Sequence, residues 1–131
     1  MRLLLDTHVW IWQGAQSKRL GAQTRAALED RKNELFLSIA SIWELAIKDE
    51  AGKLNLPVEF QVFVRTLLAK SETALLNVSL DHLFVLKSLE RRHRDPFDRL
   101  LVAQAQIEAM TLVTADERLF PYPAPTLDAR T

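Results

Sequence analysis

The feature that most constrains this chain is an alternation of short apolar runs with longer segments whose apolar residues recur at helical spacing. Leu3-Leu-Leu-Asp6, Glu34-Leu-Phe-Leu-Ser38, Ala74 to Val78 and Thr111-Leu-Val-Thr114 are the runs, with Thr126-Leu127 as a last short candidate. Between them lie Thr7 to Trp12, Gly21 to Arg31, Ile39 to Lys48, residues 58–70, Leu80 to Leu89 and Phe97 to Met110, each readable as a helix. A run with no polar alternation must be covered on both faces, and a parallel sheet between helices provides that cover. The expected fold is therefore α/β, with a mainly parallel central sheet flanked by helices. Helix 39–48 reads as amphipathic, with Ile39, Ile42, Trp43, Ala46 and Ile47 on one side.

The chain has 131 residues and is 48% hydrophobic, which suits one domain, residues 1–131, with a substantial core. It has no cysteine, so disulfides, thiolate zinc sites and cysteine nucleophiles are excluded. Any metal must bind through oxygen or imidazole. Asp6 interrupts the first apolar run too early for a signal peptide or a membrane span, which points to the cytoplasm. Lys plus Arg and Asp plus Glu both number 17, so no global attraction to a polyanion follows. The densest basic stretch is Arg91-Arg92-His93-Arg94, continued by Arg99 beyond Pro96. It reads either as a solvated helix end or as a seat for a phosphate backbone.

The acids carry the chemistry, and each also has a structural alternative. Asp6 follows a strand at the edge where ligands gather in open α/β sheets, yet it also suits a helix N-cap. Glu44 lies in the second turn if Ser38 caps its helix, or completes a capping box if Ser41 does. Asp95-Pro96-Phe97-Asp98 is a helix start, with Asp95 as cap and Asp98 in the first turn. Asp116 follows the fourth strand, and a Thr114-to-Glu117 cap would leave it without structural duty. Asp6, Glu44, Asp98 and Asp116 are all expected around one edge of one sheet. Clustered carboxylates repel one another and suit a hard divalent cation, magnesium or manganese, which directs attention to phosphoryl transfer.

With these motifs in place, the chain resembles the PIN-domain family, and within it the VapC-like toxin ribonucleases. The resemblance rests on Leu3-Leu-Leu-Asp6-Thr-His-Val-Trp10, Ser38-Ile-Ala-Ser41-Ile-Trp-Glu44-Leu, His93-Arg-Asp95-Pro-Phe-Asp98-Arg-Leu-Leu-Val-Ala103-Gln-Ala105 and Thr111-Leu-Val-Thr114-Ala-Asp116. It implies a three-layer sandwich and endonucleolytic cleavage of RNA with magnesium, manganese being a possible substitute. The implied metal ligands are Asp6, Asp98 and Asp116, with Glu44 as fourth acid, Thr114 as hydroxyl neighbour and Asp95 as an additional acid. It further implies a homodimer and a cognate antitoxin, encoded beside the toxin, that blocks the active-site groove. Arg91, Arg92, Arg94 and Arg99 are the candidate RNA-binding residues. Leu119 stands where a bulkier aromatic is expected, with Phe120 one place later.

Trp10, Trp12 and Trp43 invite a base-stacking reading, but core packing or a partner interface accounts for them as well. His8, His82 and His93 lack metal-ligand spacing. A stand-alone RNA-processing nuclease and an inert PIN module that only binds partners are the nearer rivals. A receiver-like signalling domain needs a lysine after a late strand, and Thr111 to Thr114 is followed by Ala-Asp instead.

Overall fold

The computed structural model describes residues 1–90 and 95–131, so the basic residues Arg91, Arg92 and Arg94 lie outside the described residues. In chain order the elements are β1 (Arg2–Leu5), α1 (Thr7–Gly14), α2 (Ala22–Glu29), β2 (Glu34–Ser38) and α3 (Ile39–Glu50). There follow α4 (Phe60–Ser71), β3 (Ala74–Leu76), α5 (Leu80–Ser88), α6 (Pro96–Ile107), β4 (Thr111–Thr114), a 3-10 turn (Glu117–Leu119) and β5 (Thr126–Asp128). The strands form one sheet in the order β3-β2-β1-β4-β5, and every pairing is parallel. The strand expected to run to Val78 stops at Leu76. Helix α6 starts at Pro96 and ends at Ile107, short of Met110, because Ala109 takes a left-handed backbone (φ 53°) that turns the chain into β4.

Period-two alternation along the apolar strands separates two cores. Leu3, Leu5, Leu35, Leu37 and Val113 face one side, where they meet Trp10 of α1, Leu45 of α3 and Leu67 of α4. Leu4 and Leu112 face the other, against Leu101, Val102 and Ala105 of α6 and Leu119 of the 3-10 turn. Each fully buried leucine contributes about 1.5–3 kcal/mol. The two apolar faces hold the sheet between helical layers, so the carboxyl ends of β1, β2 and β4 lie at one edge. Strand β1 pairs with β2 on one side and β4 on the other, which is the switch point where open parallel sheets leave a crevice.

Helix α3 departs from its sequence pattern in one respect. Its buried residues are Ala40, Ser41, Glu44 and Leu45, whereas Ile39, Trp43 and Ile47 are exposed. Of the apolar stripe, Ile42 packs against the first core, while most of the rest is turned away from it. Ser38 caps this helix by accepting from the Ala40 amide at 3.1 Å, and that start fixes its rotation so that Glu44 turns inward. The Ser41 capping box is thereby excluded. Trp43 lies over the surface at α6, its ring edge-to-face with Phe97 at 5.1 Å. Among the described residues no helix is long and apolar enough to cross a membrane.

Candidate active site

Asp6 is the innermost acid of the site. It occupies the N-cap position of α1, but its carboxylate makes no capping hydrogen bond. The His8 amide exerts only a minor pull on it. Instead Asp6 Oδ2 accepts a 2.7 Å hydrogen bond from the Thr114 hydroxyl at the end of β4. Asp6 is 6% exposed, and burial raises its pKa; the Thr114 hydroxyl and His8 oppose the rise, while the charge of Glu44 reinforces it.

Glu44 reaches inward from the second turn of α3 and is held by Lys48, one turn on, at 3.6 Å. Asp98 stands in the first turn of α6, half-buried, with its pKa pushed up to about 8. Burial is the main cause, followed by the charges of Asp6, Asp95, Glu44 and Asp116 in that order. One side chain thus senses all four other acids. Asp95 is the cap of α6, its Oδ1 accepting from the Phe97 amide at 2.9 Å.

Asp116 has a structural duty after all. The expected cap from Thr114 to Glu117 does not form, because the Thr114 hydroxyl accepts from the Asp116 amide at 3.0 Å and donates to Asp6. Asp116 itself caps the 3-10 turn through the Arg118 amide. Its two oxygens are also gripped by the Arg118 guanidinium, Nε to Oδ1 at 3.0 Å and Nη2 to Oδ2 at 2.9 Å. That hydrogen-bonded pairing raises the pKa of Arg118 further.

Asp6, Glu44, Asp95, Asp98 and Asp116 line one open cavity of about 390 Å³. Thr114 is fully buried beneath it and touches it through Asp6 and the Asp116 amide. Arg99 does not line it; its side chain is half-buried on α6, with Nε shielded from solvent. Trp12, already a stacking candidate in the sequence, and His8, set aside there as a metal ligand, form part of the wall, and residues the sequence had not singled out complete it: Arg19, Lys48 and Arg118. Lys48 carried a usable signal, lying four residues after Glu44 on one helix. Arg19 carried none, since only the turn after α1 returns it to the cavity. A separate cavity of about 410 Å³, lined by residues such as Arg25, Leu28, Leu67 and Lys70, contains one acid, Glu29, and no cluster.

The donor set fits a hard divalent cation. All candidate ligands are carboxylates, and two of them have pKa values raised by burial and mutual repulsion, a cost that a bound cation offsets. Among the described residues no three such groups are gathered tightly enough to hold an ion as they stand. Asp116 would first have to part from Arg118.

A parallel α/β sandwich with a carboxylate pocket at its switch point defines a class, that of small single-sheet α/β proteins with an acidic candidate site. The comparisons make it specific. The PIN domain profile matches residues 3–123. Ribonuclease VapC22 of Mycobacterium tuberculosis is 33% identical over 124 residues, covering 89% of this chain and 88% of that protein. The structure of VapBC2 from Rickettsia felis, bound to a promoter DNA fragment, is similar with a TM-score of 0.73 at 18% identity, over 97% of this chain and 98% of that one. VapBC-1 from nontypeable Haemophilus influenzae gives 0.69 at 17% identity, over 100% of each chain. The chain belongs to the PIN domain family.

Proposed function

We propose that this protein is a metal-dependent endoribonuclease acting in the cytoplasm as the toxin of a toxin–antitoxin pair. The observation that carries the reading is the position of Asp98, which is flanked by four further carboxylates in one cavity at the sheet's carboxyl edge. Its relative VapC22 is a ribonuclease by name, and the fold is that of the VapBC structures. In this reading Asp6, Asp98 and Asp116 hold magnesium, or manganese in its place, and Glu44 completes the acidic pocket. Bound there, the cation supplies Lewis acidity that activates water and offsets charge on the phosphodiester.

The chain's own residues do the rest. Thr114 fixes the orientation of the Asp6 carboxylate and favours its charged form. Lys48 holds Glu44 toward the cavity. Asp95 secures the first turn of α6 and so aims Asp98. Arg91, Arg92, Arg94 and Arg99 seat the RNA backbone as the basic stretch beside the third acidic motif. A cognate antitoxin and a second copy of the chain are the proposed protein partners. Two uncovered apolar strips are available to them, Ile39, Trp43 and Ile47 on α3 and Leu80, Leu83 and Phe84 on α5.

The test is cleavage of RNA by purified, antitoxin-free protein in magnesium or manganese. Cleavage is expected to stop in excess EDTA and to fall by orders of magnitude in Asp98→Asn. Cleavage that persists in chelator, or that survives Asp98→Asn, overturns the reading.

A further inference from the structure

Helix α1 carries two tryptophans with opposite fates. Trp10 is fully buried, edge-to-face with Phe63 at 6.4 Å, and its Nε1 donates to Ser71 Oγ at 3.3 Å. The core accounts for all of it. Trp12, two residues on, points to the other side of the helix, is half-buried and lines the acid cavity. It packs in part against the first core, so the indole is anchored rather than free to swing.

The surroundings of Trp12 are unusual for a site crowded with acids. The Arg19 guanidinium lies over the indole, its carbon 5.9 Å from the ring centroid. Lys48 pairs with Glu44 and Arg118 with Asp116, but no carboxylate among the described residues lies within ion-pair distance of Arg19. One turn earlier on α1, the exposed His8 ring sits 6.4 Å from Trp12 at 51° to it. Both Arg19 and His8 line the same cavity as Asp6 and Asp98. A planar guanidinium stacked over an indole, with an imidazole tilted beside it, therefore stands next to the carboxylates. Single-stranded RNA is held by such surfaces, because every base has a face to stack and arginine combines that stacking with attraction to phosphate.

We propose that Arg19, Trp12 and His8 form a stacking subsite for one unpaired nucleobase of the RNA, next to the phosphate that is cut. The proposal rests on the nuclease reading above and adds to it the part of the substrate that is gripped. The base must be splayed out of a helix to reach Trp12. Because stacking uses the face and not the edge of the base, the subsite selects for exposure rather than for base identity.

The test uses a fluorescein-labelled ten-nucleotide single-stranded RNA and the same sequence annealed as a duplex. Binding is measured in calcium and cleavage in magnesium. Trp12→Ala is expected to weaken single-strand binding by about 5- to 150-fold, the range found for losing one stacked base. Trp12→Phe should retain most of the affinity, and Arg19→Ala should lose several-fold. In cleavage the loss should appear mainly as a raised KM, while manganese affinity, read by calorimetry, stays that of the wild type. Unlabelled RNA should quench tryptophan emission of the wild type but quench Trp12→Phe much less.

If Trp12→Ala fails to fold, the Trp12→Phe quenching and the Arg19→Ala affinity decide the matter. Wild-type binding in Arg19→Ala together with undiminished quenching in Trp12→Phe overturns the proposal while leaving the nuclease reading intact. Equal affinity for duplex and single strand also overturns it. A wild-type protein that neither binds nor cleaves RNA overturns both.

Discussion

Thr114 Oγ1 donates to Asp6 Oδ2 at 2.7 Å, and through that bond the ends of β4 and β1 act as one unit. Both groups are buried, and the same hydroxyl accepts from the Asp116 amide at 3.0 Å. One side chain thus sets the position of two acids from adjacent strands.

Replacing the hydroxyl by a methyl group tests that relationship. Thr114→Val keeps the shape and removes the donor that holds the Asp6 pKa down, so Asp6 should need a higher pH to ionise. Hydrogen bonds to charged groups are worth about 1.5–3 kcal/mol, so cleavage near neutral pH should fall by roughly 10- to 100-fold. The acidic limb of the pH–rate profile should move to higher pH. An unmoved limb would show that Thr114 does not tune Asp6.

Asp98 makes stability depend on pH in a direction opposite to that of a salt-bridged acid. Its folded pKa, about 8, lies above its unfolded value, so the folded state holds an extra proton between them. The unfolded state binds fewer protons in that window, and the melting temperature in chelator should fall as pH rises from about 4 to 8. Asp98→Asn should remove much of that slope and melt no lower than wild type at pH 8. Magnesium should stabilise wild type more than the mutant, since a ligand bound only by the folded state stabilises by RT ln(1 + [L]/Kd) and the mutant has the weaker site. Thermal melts across pH, with and without magnesium, check all three points.

The Arg118 guanidinium occupies both oxygens of Asp116, which is where a cation would bind. Arg118→Ala should free that carboxylate and remove a positive charge from the rim. Manganese affinity, measured by calorimetry, should tighten by roughly two- to fivefold, the scale of exposed charge pairs. A weaker affinity in the variant would mean that Arg118 positions Asp116 instead of competing for it.

Asp95 separates capping from charge. Asp95→Asn keeps an oxygen for the Phe97 amide and should melt close to wild type. Asp95→Ala loses the cap and should cost about 1 kcal/mol, read by denaturant unfolding. If both variants lose cleavage alike while only the alanine one is destabilised, the charge of Asp95 belongs to the chemistry.

Much of this was legible along the chain, because the signals were local. Glu34–Ser38 and Thr111–Thr114 are strands with the boundaries their apolar runs indicate. A wholly apolar strand has to be buried on both faces, and that requirement alone leads to a parallel sheet between helices. The convergence of Asp6, Glu44, Asp98 and Asp116 on one cavity followed in turn, since side chains just past parallel strands share an edge.

Tertiary structure decided whatever depends on rotation and on distant neighbours. The apolar stripe of α3 should by composition face the core, but the start at Ser38 turns Glu44 inward and leaves Trp43 63% exposed. Asp116 carried no structural duty in sequence, yet it caps a turn and binds Arg118, because the Thr114 hydroxyl is already committed to Asp6. Arg19 meets Trp12 only where the turn after α1 returns it, and no spacing rule marks such a contact. Sequence alone determined which groups reach the edge of the sheet, because backbone periodicity is a local property. Which of them pair, cap or stay available to a ligand depended on packing, since those choices are competitions between groups far apart in the chain.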